Sequence, residues 1–139
     1  MTSIYSKVTK DGDRSRVLVL NCGSSSVKLT LFNFKNGSFL RLCDAHLKEF
    51  NSSQSELDIE TVDGKNTRNF SKSMSINEGL EVIFEILIKE FGIEISSIRA
   101  IGHRFVHGGN HFRASVLIND EVIEQLEKLV MLAPLHNES

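Results

Sequence analysis

Apolar positions alternate with a period of two through the first half of the chain and change to a period of three to four near residue 76. Val17-Leu18-Val19-Leu20 is a run of four aliphatics, which predicts a strand over 17–21 buried on both faces. A Gly and three Ser follow at 23–26, and a second apolar run then predicts a partner strand near 26–34. Asn36-Gly37 is the strongest hairpin signal in the chain. Beyond it Phe39, Leu40, Leu42, Ala45 and Leu47 predict a third strand near 38–47. Three strands joined by tight turns make an antiparallel meander. Asn51 to Thr67 is polar, with Leu57, Ile59 and Val62 around an Asp63-Gly64 turn, and predicts a short exposed hairpin.

From Ile76 onward Leu80, Ile83, Phe84, Leu87, Ile88 and Phe91 recur at spacings of three and four. That is an amphipathic helix ending before Gly92. Ile98 to Phe105 reads as a further strand, broken at Gly108-Gly109, and a second helix is predicted over about 120–131, with Pro134 after it. The order of strands and helices predicts an α/β class, with a mixed sheet carrying helices on its faces. Residues 1–15 offer only scattered apolar positions and predict a flexible extension. No internal repeat or low-complexity tract interrupts the pattern.

Composition narrows the functional classes. With 139 residues, 40% of them hydrophobic, the chain can bury one core. A net charge of -2 gives no reason to expect a nucleic acid or an anionic membrane surface as partner. No apolar run approaches the roughly 20 residues a bilayer crossing needs. Residues 1–16 are polar, with no apolar core of a secretory signal, so a cytoplasmic location is expected. Cys22 and Cys43 show no metal-ligand spacing and read as free buried thiols.

The chemistry concentrates at two places. In Asn21-Cys22-Gly23-Ser24-Ser25-Ser26-Val27-Lys28 a buried strand meets a turn of small residues. Such a turn brings backbone N–H groups and hydroxyls to a cleft and lets an anion approach the main chain. Lys28 adds a positive charge, and Asn21 a neutral oxygen suited to hydrated Mg²⁺. This is not the Gly-x-x-x-x-Gly-Lys phosphate loop, because alternating strand residues follow it instead of a helix start. On spacing alone, an ordinary polar hairpin turn with a surface lysine stays equally open. The second place is Ile101-Gly102-His103-Arg104-Phe105-Val106-His107-Gly108-Gly109, at the end of a strand. Arg104 offers a planar fork that matches a carboxylate or a phosphoryl group, against the alternative of a surface ion pair. His103, His107 and His111 are spaced by four, a zinc spacing on a helix. Here it falls on a strand and a glycine turn, where it does not align the rings.

Three motifs together resemble the amino-terminal part of acetate kinases. They are Asn-x-Gly-Ser-Ser-Ser-x-Lys at 21–28, Gly-His-Arg-x-Val-His-Gly-Gly at 102–109, and Ala-Pro-Leu-His-Asn at 133–137. The resemblance covers residues 16–137, about the first third of a family member. It implies an incomplete amino-terminal domain over 16–139, with the sugar-kinase, heat-shock-protein and actin type of fold, ribonuclease H-like in its sheet. It also implies phosphoryl transfer between ATP and acetate, with Mg²⁺, in an enzyme that is a homodimer at full length. Carried over by residue, Asn21 would ligand Mg²⁺, and Lys28, Ser24 and Ser26 would hold ATP. Arg104 would hold the acetate carboxylate or the transferring phosphoryl group. Val106 and Leu135 would line the pocket for the substrate methyl, and His136 would face the active site.

The family's catalytic Asp, its adenine loops and its second domain fall after the last residue of this sequence, so the isolated chain is expected to be inactive. A short-chain acyl kinase preferring propionate and a non-catalytic half-module are the alternative readings. Phe105 stands where smaller aliphatics are usual in the family.

Overall fold

Strand β1 (Arg16–Cys22) lies near one edge of a six-stranded sheet, and its two neighbours set the geometry of everything near residue 21. On one side it pairs antiparallel with β2 (Ser26–Lys35), from Arg16↔Asn33 to Cys22↔Val27. On the other it pairs parallel with β6 (Ile98–His103), with Leu18↔Ile101 and Leu20↔His103. Outward from β2 run β3 (Ser38–Lys48), β4 (Ser55–Thr61) and β5 (Gly64–Phe70), all antiparallel, so the sheet order is β5-β4-β3-β2-β1-β6. The computed structural model describes residues 15–105 and 110–130. The flexible extension expected over 1–15 falls outside these except for Ser15, which is buried and whose carbonyl accepts from the Phe34 N–H at 2.7 Å. Among the described residues no helix is long and apolar enough to cross a membrane.

Local chemistry accounts for the turns and caps. Asn36 and Gly37 take φ of 53° and 76°, the left-handed pair required by a two-residue hairpin turn between Lys35 and Ser38. Helix α1 (Ile76–Phe91) opens on Ser75, whose hydroxyl accepts from the Glu78 N–H while the Glu78 carboxylate accepts from the Ser75 N–H. This reciprocal box satisfies two otherwise orphaned donors and fixes where the helix begins. At the far end the Gly92 and Ile93 N–H groups donate to Ile88 and Leu87. Helix α2 (Asp120–Val130) starts on Asn119, whose side-chain oxygen accepts from the Val122 N–H.

One face of the sheet carries the core. Leu18, Leu20, Val27, Leu29, Leu31, Ala45, Leu47, Leu57 and Ile59 pack there with Met74 and with Ile83, Ile86 and Leu87 of α1. At Gly79 the helix lies close against β3: a Cβ added there would stand 2.6 Å from Leu47 Cδ2. Cys22 and Cys43 are buried and free, as expected, and burial pushes the Cys43 thiol up to about 11.

The structure corrects three expectations. β1 is buried on one face only; Val19 is 43% exposed, because the core cluster with α1 lies on one side of the sheet and leaves the other, here called the uncovered face, outside it. The hairpin read as short and exposed is two full strands, and Leu57 and Ile59 are core residues. Leu57 and Ile59 extend the buried face by one strand, while Glu56, Asp58 and Glu60, which alternate with them, lie on the opposite face. The strand read through Phe105 stops at His103.

The uncovered face is polar at the end near the serine turn. Lys48 Nζ donates to Glu56 and to Asp58, each at 2.6 Å, Lys65 Nζ sits 2.8 Å from Asp58, and Thr67 Oγ1 donates to Asp58 at 2.6 Å. The bond from Lys48, then those from Lys65 and Thr67, hold the Asp58 carboxyl well below the usual carboxylate range. The Lys48 ammonium is raised to about 12 by Asp58 and then Glu56. Thr30 and Arg41 hold Asp44 on the same face.

Two outcomes follow from this packing. Because the folded-state pKa of Asp58 is depressed, its contribution is present above its unfolded value, about 3.9, and is lost as pH falls through the folded value. Asp58→Asn is therefore expected to lower stability at neutral pH and to flatten the loss below about pH 4. Urea unfolding of both chains across that range checks it, and parallel declines would contradict it. Among the described residues the outer edge of β6 is unpaired. Ile101, 57% exposed, adjoins a shallow apolar cavity of about 390 Å³ lined also by Phe84, Ile95 and Ile98. An open edge beside an apolar patch favours association. Sedimentation velocity is expected to show concentration-dependent self-association that Ile101→Lys reduces; a monomer at every concentration would contradict this.

Candidate functional site

The serine turn is a tight connection whose backbone is pinned from two sides. The Gly23 N–H donates to Ser26 O at 2.7 Å, closing the turn, so that donor is used internally. The carbonyl of Ser25 accepts from the Phe50 N–H at 3.1 Å, and the carbonyl of Ser24 accepts from Asn51 Nδ2 at 3.4 Å. Phe50 O in turn accepts from the Met74 N–H at 2.6 Å, tying the turn's support to the approach to α1. With its carbonyls turned toward residues 50–51, the turn leaves Ser24 and Ser25 exposed and Ser26 half-buried.

Directly below the turn, Asn21 of β1 stands opposite Lys28 of β2. Both lie on the uncovered face, since their sequence neighbours Leu20, Cys22, Val27 and Leu29 are all in the core. Arg104 is one residue past the end of β6, yet it continues the parallel ladder: its N–H donates to Leu20 O at 3.1 Å. In a parallel pair this bond places Arg104 opposite Asn21. Asn21 is therefore flanked by Arg104 on one side and Lys28 on the other. With neighbouring strands about 4.8 Å apart, the two cationic residues start about 10 Å from each other, one strand between them. Among the described residues neither joins an ion pair. Two cations around a neutral carboxamide, beside a turn of serines, have the charge and donors that suit an anion.

The row continues outward. Lys28 stands opposite His46 of β3, His46 opposite Asp58 of β4, and Asp58 opposite Thr67 of β5. Arg104, Asn21, Lys28, His46, Asp58 and Thr67 thus form one line of directly opposed residues across all six strands. His46 and the bracing Asn51 were not singled out by motif reading. His46 sits in a strand at an ordinary polar position, and only the β2–β3 register shows that it adjoins Lys28. His103, a strand-end histidine, is turned to its own chain, its Nδ1–H donating to Arg104 O at 2.7 Å. Of the remaining sequence candidates, Val106, Leu135 and His136 lie outside the described residues, as do His107, Gly108 and Gly109.

Comparison with known proteins bears on this arrangement. The profile of the acetokinase family matches residues 16–139. The chain is 44% identical over 126 residues to the acetate kinase of Thermoanaerobacter pseudethanolicus, and 40% identical over 126 residues to that of Caldanaerobacter subterraneus subsp. tengcongensis; each match takes in 88% of this chain and 31% of the relative. Among solved structures it superposes on Porphyromonas gingivalis acetate kinase with a TM-score of 0.76 at 37% identity, covering 88% of this chain and 31% of that one. It superposes equally, at 0.76 and 34% identity, on a propionate kinase from Francisella tularensis, covering 88% and 30%. The chain spans about 31% of the length of the curated relatives it matches. The mixed sheet is thus the amino-terminal part of the sugar-kinase, heat-shock-protein and actin type of fold. On the profile match and on these identities, the chain is a member of the acetokinase family.

Proposed function

We propose that this chain supplies the phosphate- and carboxylate-binding side of a site that transfers a phosphoryl group between ATP and acetate, forming ADP and acetyl phosphate. The observation that carries the reading is the contiguity of Arg104, Asn21 and Lys28 in one row beneath the serine turn. Phosphoryl transfer asks little covalent chemistry of a protein; it asks for alignment and for positive charge on the transferring oxygens. A carboxylate acceptor is already ionised near neutral pH, so no strong base is required. In this reading Lys28 and the serine hydroxyls of Ser24 and Ser26 hold ATP phosphates. Arg104 forks onto the acetate carboxylate or the transferring group.

The donor set also bears on the metal. Among the described residues no cluster of three acidic, His or Cys side chains could cage an ion. Asn21 offers one neutral oxygen to a hydrated Mg²⁺ that arrives with the nucleotide, whose phosphates would offset the repulsion from Lys28 and Arg104. Bound there, Mg²⁺ would neutralise charge on the phosphates. By family resemblance Val106 and Leu135 take the substrate methyl, and His136 faces the reacting groups. A cytoplasmic homodimer is the assembly this reading implies.

A specific observation favours a second substrate, because the Francisella neighbour is a propionate kinase. One methylene changes discrimination by only about 1–3 kcal/mol, so propionate is expected to be a competing acceptor.

Acyl phosphate formation, trapped as hydroxamate, tests the reading in two steps. The 139-residue chain alone is expected to give no turnover above background. A chimera that continues it with the remainder of the Thermoanaerobacter relative is expected to be active. In that chimera Arg104→Ala should lower kcat/KM by about 10²–10³-fold, as loss of one preorganised charge donor does. Lys28→Ala should raise the KM for ATP more than that for acetate. Equal and small effects from both substitutions would overturn the assignment.

A further inference from the structure

We propose that His46 is a proton-linked positioning residue for the anion site at Lys28: neutral, it separates the Lys28 ammonium from the acidic cluster around Asp58, and protonated, it adds its charge to the same anion. The proposal rests on the reading of Lys28 as a phosphate-binding residue.

Geometry is the first support. His46 is half-buried and stands directly between Lys28 and Asp58 in the cross-sheet row, one strand from each. Directly opposed residues have Cβ atoms about 5 Å apart and share a face. A lysine reaches farther than that, so a small residue at position 46 would leave Lys28 free to lean toward Asp58. The imidazole fills that route.

The charges around it are the second support. On the uncovered face, β2 presents Lys28 to His46, and β4 presents Asp58 with Glu56 and Glu60 on either side. Asp44 and Lys48 flank it on its own strand, and β5 contributes Lys65. The acids have partners of their own: Asp58 takes Lys48, Lys65 and Thr67, Glu56 takes Lys48, and Arg41 lies against Asp44 and Glu60. Lys28 is thereby left facing His46 with no acid directly across from it. Burial first, then the charges of Lys28 and Lys48, lower the affinity of His46 for a proton, against a smaller opposing effect of Asp58.

Lys28 repels a proton from His46, and an anion bound at Lys28 offsets that repulsion. Anion binding therefore takes up a proton at His46, and by linkage affinity rises as pH falls below the ordinary histidine range, about 6.5. In neutral and alkaline solution the imidazole acts only as a spacer.

Sulfate is the suitable probe, because its charge does not change over the range needed. In the full 139-residue chain, sulfate is expected to bind about threefold to tenfold more tightly near pH 5.5 than near pH 8, beyond the change shown by His46→Gln. Affinity near pH 8 should differ little between the two, because glutamine also fills the route. In the ligand-free chain, the His46 ring titration followed by NMR should move to higher pH in Lys28→Met. If Lys28→Met leaves that titration in place, or if His46→Gln keeps the full pH dependence of sulfate binding, His46 is not coupled to Lys28 and the proposal falls while Lys28 keeps its role. If the titration moves but Lys28→Met binds sulfate as well as the unaltered chain does, the phosphate-binding reading of Lys28 falls and takes the proposal with it.

Discussion

The register of β1 against its two neighbours is the constraint on which the site depends. Leu18, Leu20 and Cys22 enter the core, so Val19 and Asn21 must face outward, and the pairing with β2 and β6 then brings Lys28 and Arg104 to Asn21 from opposite sides. A slip of one residue would exchange the two faces, sending Lys28 into the core and Leu29 to the surface. Burying an unpaired ammonium is far costlier than burying a leucine is favourable, so the hydrophobic pattern also fixes the chemistry. The same apolar residues that hold the fold together thus position two cations and a carboxamide.

Supports outside the row hold the turn above it. The carbonyls of Ser24 and Ser25 are taken by Asn51 and by the Phe50 N–H, and Phe50 itself is buried and tied to Met74. From there the chain passes through the Ser75 cap into α1, whose Gly79 lets the helix lie against Leu47. Positioning at the serine turn therefore depends on the helix dock. For the phosphoryl transfer proposed above that rigidity matters, since misplacement of a phosphate by about 1 Å can reduce rate about 10²-fold.

Much of this was legible in the sequence because the signals were local. The Asn36-Gly37 turn, the α1 periodicity with its Gly92 stop, and the three-strand meander depend on neighbours within a few residues, and the structure has them. The motif around residues 21–28 and Arg104 pointed to anion chemistry through residue type alone. What the sequence left out depends on partners distant in the chain. Four consecutive aliphatics carry no information on how many layers cover a sheet, so the pattern of a strand buried on both faces is shared by β1, which is buried on one. The β4–β5 hairpin has the composition of an exposed one because its polar residues outnumber Leu57 and Ile59, yet those two extend the core. His46, a lone histidine in a strand, gains meaning only from the register that sets it between Lys28 and Asp58.

If Arg104 and Lys28 hold the reacting groups of one transfer step from the two sides of Asn21, their contributions to transfer must be coupled. A double-mutant cycle on kcat/KM in the chimera, using Arg104→Ala, Lys28→Ala and the pair, measures this most directly. The account predicts a coupling of about 1–3 kcal/mol, the double variant losing less than the sum of the singles. Additive losses would show that the two residues serve separate sites and would contradict it.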